Sequence, residues 1–360
     1  MRQDASARLP VLLVIMGLVY DLSQKYKTLS IVGMAKNAGK TTALNYLLEE
    51  AYDEGLVVGV TSTGRDGETT DVVTGTDKPK VYLFEDTIVS VPAGLYDMSE
   101  TGLEILKRTG YRTAMGNVLI CRVAESGYVQ IAGPGSIAEH KKLCEDMASY
   151  GVDMIFIYGA IDRKSIAAPE TSDAVILATG AVLSRSLKVV VEDTLHVASV
   201  YSSEILDDPK AYALLKNENK EVYRVLTIDD EYKEHVLPAK TALSAGALMD
   251  SAIDAHTKYV YIPGALTERI LDGINPKKLK NITIVLPDPT RVFVGAVKWQ
   301  QLKKKGMTVK VMENIRVAAV TVNPYAPAGY SFEHEELLAA VKDALPGLPV
   351  FDVRTGGLEE

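Results

Sequence analysis

The sequence predicts an α/β protein. Short apolar runs rich in β-branched residues alternate with amphipathic segments along the chain, a pattern typical of sheets covered by helices. The length of 360 residues allows two domains or one large α/β unit, and the polar stretch Lys216–Glu221 resembles a linker. We therefore expect an N-terminal extension at residues 1–26, a first domain at 27–207 and a second α/β domain at 208–360.

The apolar run Leu9–Tyr20 follows Arg2 and Arg8, as the apolar core of a signal peptide would. It is short for a segment that spans a bilayer, and no small-residue cleavage site follows it. We interpret residues 1–26 as an extension outside the main fold, which either docks as a helix or strand or reflects the choice of start codon. Secretion is the less favoured interpretation.

Charge and cysteine content exclude several classes of function. A net charge of −8 argues against sequence-independent binding to nucleic acids or anionic membranes. The basic runs Asn275–Asn281 and Gln300–Gly306 are interpreted as solvated helix ends and turns. Cys121 and Cys144 cannot form a disulfide framework, fit a reducing compartment and, in their apolar surroundings, predict buried thiols.

The segment LSIVGMAKNAGKTTALNYLLEEA, Leu29–Ala51, carries the clearest chemical motif. An apolar strand ends at Gly33, a glycine-bearing loop follows, and an amphipathic helix runs from Thr41 to Gly55. This order makes backbone N–H groups converge on an anion at the positive end of a helix. We expect Lys40 to reach the outer phosphates of a nucleotide and the Thr41 hydroxyl to ligate Mg²⁺.

The predicted ligand of this segment is therefore a Mg²⁺-nucleotide, and a P-loop site of this kind favours a cytoplasmic protein. The chain contains no Asn-Lys-x-Asp guanine signature, which favours ATP and leaves GTP open. The alternative is a chance Gly-Lys-Thr sequence at a helix cap, which the flanking strand and helix make less favoured. The residues of this glycine loop that are expected to bind the nucleotide are Gly33, Met34, Ala35, Lys36, Asn37, Ala38, Gly39, Lys40, Thr41 and Thr42.

The spacing within the glycine loop carries further information. Five residues separate Gly33 from Gly39, one more than the usual phosphate-binding loop has. The longer loop resembles that of the dethiobiotin synthetase and cobyrinate amidase branch of P-loop proteins, and the apolar strands within 152–165 and 172–186 follow in the same order as strands of that branch. The resemblance implies a P-loop NTPase-type domain.

One position departs from that branch. It has an acidic residue before the Gly-Ala that ends its metal-binding strand, and this chain has Tyr158 there. We therefore assign metal ligation to Thr41 and to Asp66 and Asp71, which follow the second predicted strand. The predicted catalytic residues are Lys40, Asp66 and Asp71. The alternative for the acidic segment is a surface turn shaped by its glycines.

The rest of the first domain predicts an antiparallel insertion and two helices. The insertion is expected to consist of two hairpins, each formed by consecutive apolar runs. The predicted elements are a hairpin of Lys80–Phe84 with Thr87–Val91, a helix at Ser99–Gly110, a hairpin of Asn117–Val123 with Tyr128–Pro134, and a helix at Ser136–Gly151.

Several strings together resemble the KamB family, whose members are encoded beside the B12- and pyridoxal-phosphate-dependent lysine 5,6-aminomutase in amino-acid-fermenting bacteria. The matching strings are SIVGMAKNAGKTT, TSTGRDGE, TGYRTAMG, GYVQIAGP, GAIDRK, LPDPTRVFV and VTVNPYAPAG. The resemblance implies a reactivase subunit that uses nucleotide. Its implied partners are a MutS-like ATPase and the aminomutase itself, which the pair would restore when it carries damaged cobalamin.

The second half repeats the α/β pattern without another phosphate loop or an internal repeat. Its predicted strands lie within 221–228, 258–266, 282–287, 307–312 and 316–324, and its predicted helices within 241–255 and 293–306. Asn323 ends the last of these strands, where the dethiobiotin synthetase branch places an asparagine amide against adenine, so Asn323 is a candidate base contact. The alternative is a turn fixed by Pro324, Pro327 and Gly329.

Three classes of function remain open. The first is a nucleotide hydrolase that drives conformational work on a partner enzyme. The second is a biosynthetic enzyme that phosphorylates a carboxylate, which the missing acid at Tyr158 makes less favoured. The third is a nucleotide-binding scaffold without catalysis. The large second half carries no recognisable catalytic motif, which favours the first class.

Overall fold

The computed structural model describes residues 17–63, 81–99, 101–159, 172–216, 224–238 and 242–352. These residues form a mixed α/β protein, as the sequence predicts. The strands are β1 (Thr28–Gly33), β2 (Val58–Thr63), β3 (Val81–Leu83), β4 (Ile88–Pro92), β5 (Leu103–Thr113), β6 (Gly116–Val123), β7 (Gly127–Val129), β8 (Met154–Gly159), β9 (Ala174–Gly180), β10 (Leu226–Asp229), β11 (Glu234–Val236), β12 (Thr257–Tyr261), β13 (Leu266–Thr267), β14 (Thr283–Leu286), β15 (Val292–Phe293), β16 (Thr308–Val311), β17 (Val317–Asn323), β18 (Tyr325–Ala326), β19 (Tyr330–Ser331) and β20 (Val350–Asp352). The helices are α1 (Leu18–Ser23), α2 (Lys40–Asp53), α3 (Ala93–Tyr96), α4 (Ile137–Ala148), α5 (Leu187–Tyr201), α6 (Pro209–Leu215), α7 (Ala242–Ala252), α8 (Glu268–Asp272), α9 (Pro276–Leu279), α10 (Ala296–Lys304) and α11 (His334–Ala344).

A nine-stranded sheet dominates the described part of the chain, with strand order β20-β17-β9-β1-β8-β2-β4-β6-β5. The pairs from β20 to β4 are all parallel, and β6 is antiparallel to both β4 and β5. Parallel sheets place the carboxyl ends of their strands at one edge, where ligands of α/β proteins collect. The sheet therefore fixes where a site is to be sought.

Both faces of this sheet are buried, as expected for parallel strands covered by helices. Ala174 and Ile176 of β9 pack in the same apolar cluster as Leu44 of α2. Leu177 of β9 and Val190 of α5 belong to a different cluster, because alternate residues of a strand point to opposite faces. Helices α2 and α5 thus cover opposite faces of the central strands.

A second sheet has the order β11-β10-β12-β14-β16. Strands β12, β14 and β16 are parallel to one another, and β10 is antiparallel to both of its neighbours, β11 and β12. The sequence predicts a second domain that comprises residues 208–360. Strands β17 and β20 instead pair in the nine-stranded sheet, where β17 lies beside β9. The second sheet is therefore built from strands between residues 226 and 311, and the chain returns to the large sheet after it.

The predicted helix at Ser99–Gly110 is wrong. Residues Leu103–Thr113 form β5, which pairs antiparallel with β6. The capping-type serine and the glycine favour a helix, but pairing with β6, whose residues Val118–Cys121 are buried, outweighs these local signals.

Both predicted hairpins are wrong in their partners. β3 pairs with β7 in a separate two-stranded sheet, while β4 pairs with β2 and β6. The antiparallel hairpin at the edge of the large sheet consists of β5 and β6 instead. The apolar runs of both predicted hairpins do form strands. Each strand nevertheless pairs with a partner other than the run that follows or precedes it in the predicted hairpin. By contrast, the predicted helix after Ser136 is confirmed as α4, with the Ser136 side chain accepting a hydrogen bond from the Glu139 N–H at 3.3 Å.

The extension packs on α2 through α1. Val19 and Leu22 are buried in the cluster that includes Leu47, and the Val19 N–H donates to Glu50 at 3.0 Å. Residues 1–16 lie outside the described part of the chain. Among the described helices, none is both long and apolar enough to cross a bilayer.

The prediction of buried thiols is confirmed for Cys121 and Cys144. Burial raises the pKa of each thiol to about 12, so both are protonated at neutral pH.

Candidate functional site

The predicted site residues that the structure describes lie at the carboxyl edge of the central strands. β1 ends at Gly33, β8 at Gly159, β9 at Gly180 and β17 at Asn323, and these strands are neighbours in the sheet. The glycine loop leaves β1 at this edge and leads into α2. The Met34 N–H donates to the Ala178 carbonyl at 2.9 Å, so the start of the loop is held against β9.

The glycine loop turns into α2 through a left-handed residue. Gly39 has φ 98° and precedes the first helical residue, Lys40. A side chain is strained at this φ, which explains the glycine. The N-cap residue, Gly39, has no side chain that could cap the N-terminus of α2. The first N–H groups of this helix are therefore oriented toward the loop, where an anion would satisfy them.

The Lys40 side chain folds back over the start of the loop. Its residue is only 8% exposed, and a β-carbon added to Gly33 would lie 3.0 Å from the Lys40 Nζ atom. A buried ammonium group requires negative charge or hydrogen-bond acceptors nearby. The Lys40 ammonium therefore lies close to Gly33, at the start of the glycine loop.

Thr41 contacts the residue that replaces the acid of the resembling branch. The Thr41 Oγ1 atom lies 2.7 Å from the Tyr158 hydroxyl, and either atom can be the donor. Tyr158 is on β8, next to β1, so the pairing of these two strands brings the phenol to the first turn of α2. The sequence gives tyrosine at position 158 but does not indicate this contact.

Asn323 lies against the glycine loop rather than apart from it. Its Nδ2 atom donates to the Asn37 carbonyl at 3.4 Å, and its Oδ1 atom accepts from the Tyr325 N–H at 3.1 Å. A β-carbon on Gly180, at φ 157°, would lie 2.1 Å from the Asn323 carbonyl oxygen, so only glycine permits this approach. The amide therefore braces the loop and the turn after β17.

A polar chain behind Asn323 was not anticipated from the sequence. The His334 Nδ1 atom lies 2.8 Å from the Asp352 carboxylate, which is fully buried, and its Nε2 atom lies 3.0 Å from the Tyr325 hydroxyl. The carboxylate accepts from Nδ1–H, which leaves Nε2 to face the phenol. The three residues lie 9 and 18 positions apart, a spacing that matches no known ligand or catalytic motif.

The predicted acids Asp66 and Asp71 lie outside the described residues. Strand β2, which precedes them, ends at Thr63 beside Gly159 of β8, so the segment departs from the same edge of the sheet. Within the ranges that the structure describes, no group of three or more histidine, cysteine, aspartate or glutamate side chains is arranged to hold a metal ion. Of the predicted metal ligands, Thr41 is the one whose position is described.

Comparison of the chain with protein-family models, with curated proteins and with solved structures finds no match.

Proposed function

We propose that this protein binds a Mg²⁺-nucleotide at the glycine loop and hydrolyses it to drive reactivation of a B12-dependent aminomutase, together with a partner ATPase. The carrying observation is the position of Lys40. Its ammonium group is buried and folds over Gly33, beside the uncapped N-terminus of a 14-residue helix. The Lys40 ammonium and the first N–H groups of α2 lie at the same end of the loop, an arrangement that supports phosphate binding.

Gly33, Gly39 and Lys40 have different roles in the proposed nucleotide site. Gly33 leaves room for the Lys40 ammonium, and Gly39 lets the chain turn so that the N–H groups of α2 face the same space. In this arrangement Lys40 would stabilise negative charge on the outer phosphates. ATP is the expected nucleotide, with GTP left open.

Thr41 and the acidic segment after β2 are the proposed holders of Mg²⁺, which would neutralise phosphate charge when bound. A threonine hydroxyl that donates its proton to Tyr158 keeps its lone pairs for a metal, so the 2.7 Å contact is compatible with this role. Asp66 and Asp71 are proposed to complete the ligand set.

The proposed target is another protein, because phosphate handling is the chemistry that the residues support. The segment after β2 leaves the same edge as the glycine loop, so nucleotide could order it for a partner to recognise. The second sheet provides additional surface. The resemblance to the KamB family supports lysine 5,6-aminomutase and a MutS-like ATPase as the partners.

The test is recovery of inactivated aminomutase. Enzyme that has lost activity during turnover is mixed with this protein, the ATPase, Mg²⁺, ATP and fresh adenosylcobalamin. Activity should return with the wild-type protein and not with Lys40→Ala, while Lys142→Ala, an exposed lysine on α4, serves as the matched control. Equal recovery without this protein would contradict the reactivase proposal and favour the carboxylate-activating alternative.

One observation favours a second candidate, a nucleotide-binding scaffold without hydrolysis. Tyr158 occupies the position next to Thr41 where the resembling branch has an acid. A phenol carries no negative charge at neutral pH and holds a divalent cation poorly. A scaffold would support recovery equally well with a non-hydrolysable ATP analogue, whereas a hydrolase would not.

A further inference from the structure

A cavity of about 420 Å³ lies beside the start of the glycine loop, on the face of the large sheet that α5 covers. One wall comes from β1 and the first loop residues, and the opposite wall comes from the segment 289–295, which follows the second sheet's strand β14. Small-molecule sites commonly occupy ~300–1,000 Å³ and form where two units of a fold meet. The cavity has the size and position of such a site.

Its lining is strongly apolar. The contributing side chains include Val32, Met34, Leu177, Val200, Val292 and Val294. None of the lining residues that the structure describes is a lysine, arginine, aspartate or glutamate. The lining itself offers a charged ligand no charged side chain, which favours an uncharged ligand.

Tyr201 supplies a polar atom in this apolar lining. It is 6% exposed and lines the cavity, and its hydroxyl makes no hydrogen bond with any residue that the structure describes. Burial, and then the negative charge of Asp288, raise the pKa of this phenol to about 12, so the hydroxyl keeps its proton. The hydroxyl is not among the sealed polar atoms of the described interior and has no hydrogen-bond partner there, so it is available to pair with a ligand atom.

The walls of the cavity are held in place. The His196 Nε2 atom bonds to the Val294 carbonyl at 2.8 Å, the Gly295 N–H donates to Glu268 at 3.0 Å, and β15 pairs with β13. Phe293 lines the cavity and is 52% exposed, so the cavity adjoins the solvent at this ring. A ligand would meet a preformed space with an entrance rather than a sealed void.

We propose that this cavity binds a small, uncharged ligand with an apolar body and a single hydrogen-bonding atom that pairs with the Tyr201 hydroxyl. The ligand is distinct from the nucleotide, which needs the charge of Lys40 on the loop. The inference does not depend on the proposed function, and its test uses no nucleotide.

The test uses two fluorinated probes of nearly the same shape, 4-fluorophenol and 4-fluorotoluene, followed by fluorine NMR during titration of the full-length protein. Both should bind saturably to the wild type. Tyr201→Phe removes the hydroxyl and keeps the ring, so it should weaken 4-fluorophenol about fivefold relative to 4-fluorotoluene, the effect of one neutral hydrogen bond.

Two matched variants on α5 locate the binding. Val197 lines the cavity, and Val197→Phe should weaken both probes at least about tenfold by filling the space. Val189 is exposed and does not line the cavity, so Val189→Phe should leave both affinities unchanged. Thermal unfolding of each variant shows whether it folds. Absence of saturable binding, equal losses of both probes in Tyr201→Phe, or unchanged binding in a folded Val197→Phe would overturn the proposal.

Discussion

The hydroxyl of Tyr158 lies 2.7 Å from that of Thr41, so a phenol on β8 contacts the residue expected to ligate Mg²⁺. The contact depends on β1 and β8 being adjacent and parallel, with Ile31 opposite Tyr158. It supplies a hydrogen bond where an acid would supply charge. Replacing Tyr158 therefore tests how strongly nucleotide binding at the glycine loop depends on Mg²⁺.

Tyr158→Phe should lower the affinity for Mg²⁺-ATP about three- to tenfold. The phenyl ring keeps the packing but removes the oxygen that bonds to the Thr41 hydroxyl. If that oxygen is the acceptor, the Thr41 lone pairs lose their orientation toward the metal, and a hydrogen bond of this kind contributes ~1 kcal/mol. Calorimetric titration with and without Mg²⁺ measures the effect. Tighter binding in the variant would mean that Tyr158 donates to Thr41 and competes with the metal.

Neutralising the acids after β2 should affect turnover more than binding. If Asp66 or Asp71 helps to hold Mg²⁺, the corresponding Asp→Asn variant should lose hydrolysis, because the metal is needed most as charge develops on the transferred phosphoryl group. Steady-state phosphate release is compared with nucleotide affinity in each variant. Wild-type turnover in both variants would contradict metal binding by these acids and would favour the alternative that the segment is a surface turn.

Asn323→Ala should weaken ATP and GTP equally, by about threefold. Its amide holds the Asn37 carbonyl and the Tyr325 N–H, so its loss loosens the loop at a cost of ~0.5–1.5 kcal/mol, whatever the base. Competition binding with both nucleotides measures the two losses. A loss confined to ATP would show instead that the amide contacts adenine, as the resemblance to the dethiobiotin synthetase branch implies.

The central strands and the helix after the glycine loop were predictable because their signals are local. β1, α2, β8 and β9 each follow from a run of apolar residues bounded by glycine. The helix predicted from Thr41 begins at Lys40, one residue earlier, with Gly39 as its N-cap. The motif therefore located the candidate site without knowledge of the sheet.

Pairings between distant segments were not predictable in the same way. Nothing in β17 indicates that it crosses back to lie beside β9, and the run Ser99–Gly110 carries helix signals that only its partner β6 overrides. The contacts of Tyr158 with Thr41 and of Asn323 with Asn37 arise from these pairings. The sequence therefore predicts which residues belong to the site, whereas the order of the strands determines their contacts.

The buried His140 should make stability depend on pH. Burial lowers the pKa of its imidazole from 6.5 to about 4, so between these values the unfolded chain binds the proton more readily than the folded chain. The free energy of unfolding should fall by about 3 kcal/mol from this group as pH drops from ~6.5 to ~4. Urea unfolding of His140→Leu should show a shallower loss over that range. The same pH dependence in wild type and variant would contradict a buried neutral imidazole.

The most direct measurement is calorimetric titration of Mg²⁺-ATP into the wild type, Lys40→Ala and Lys142→Ala. Lys40 folds over Gly33 and is 8% exposed, whereas Lys142 is exposed on α4. A nucleotide site at the glycine loop predicts that Lys40→Ala weakens binding at least about tenfold, or about 1.4 kcal/mol, while Lys142→Ala binds like the wild type. Equal affinity of the wild type and Lys40→Ala would contradict a nucleotide site at this loop.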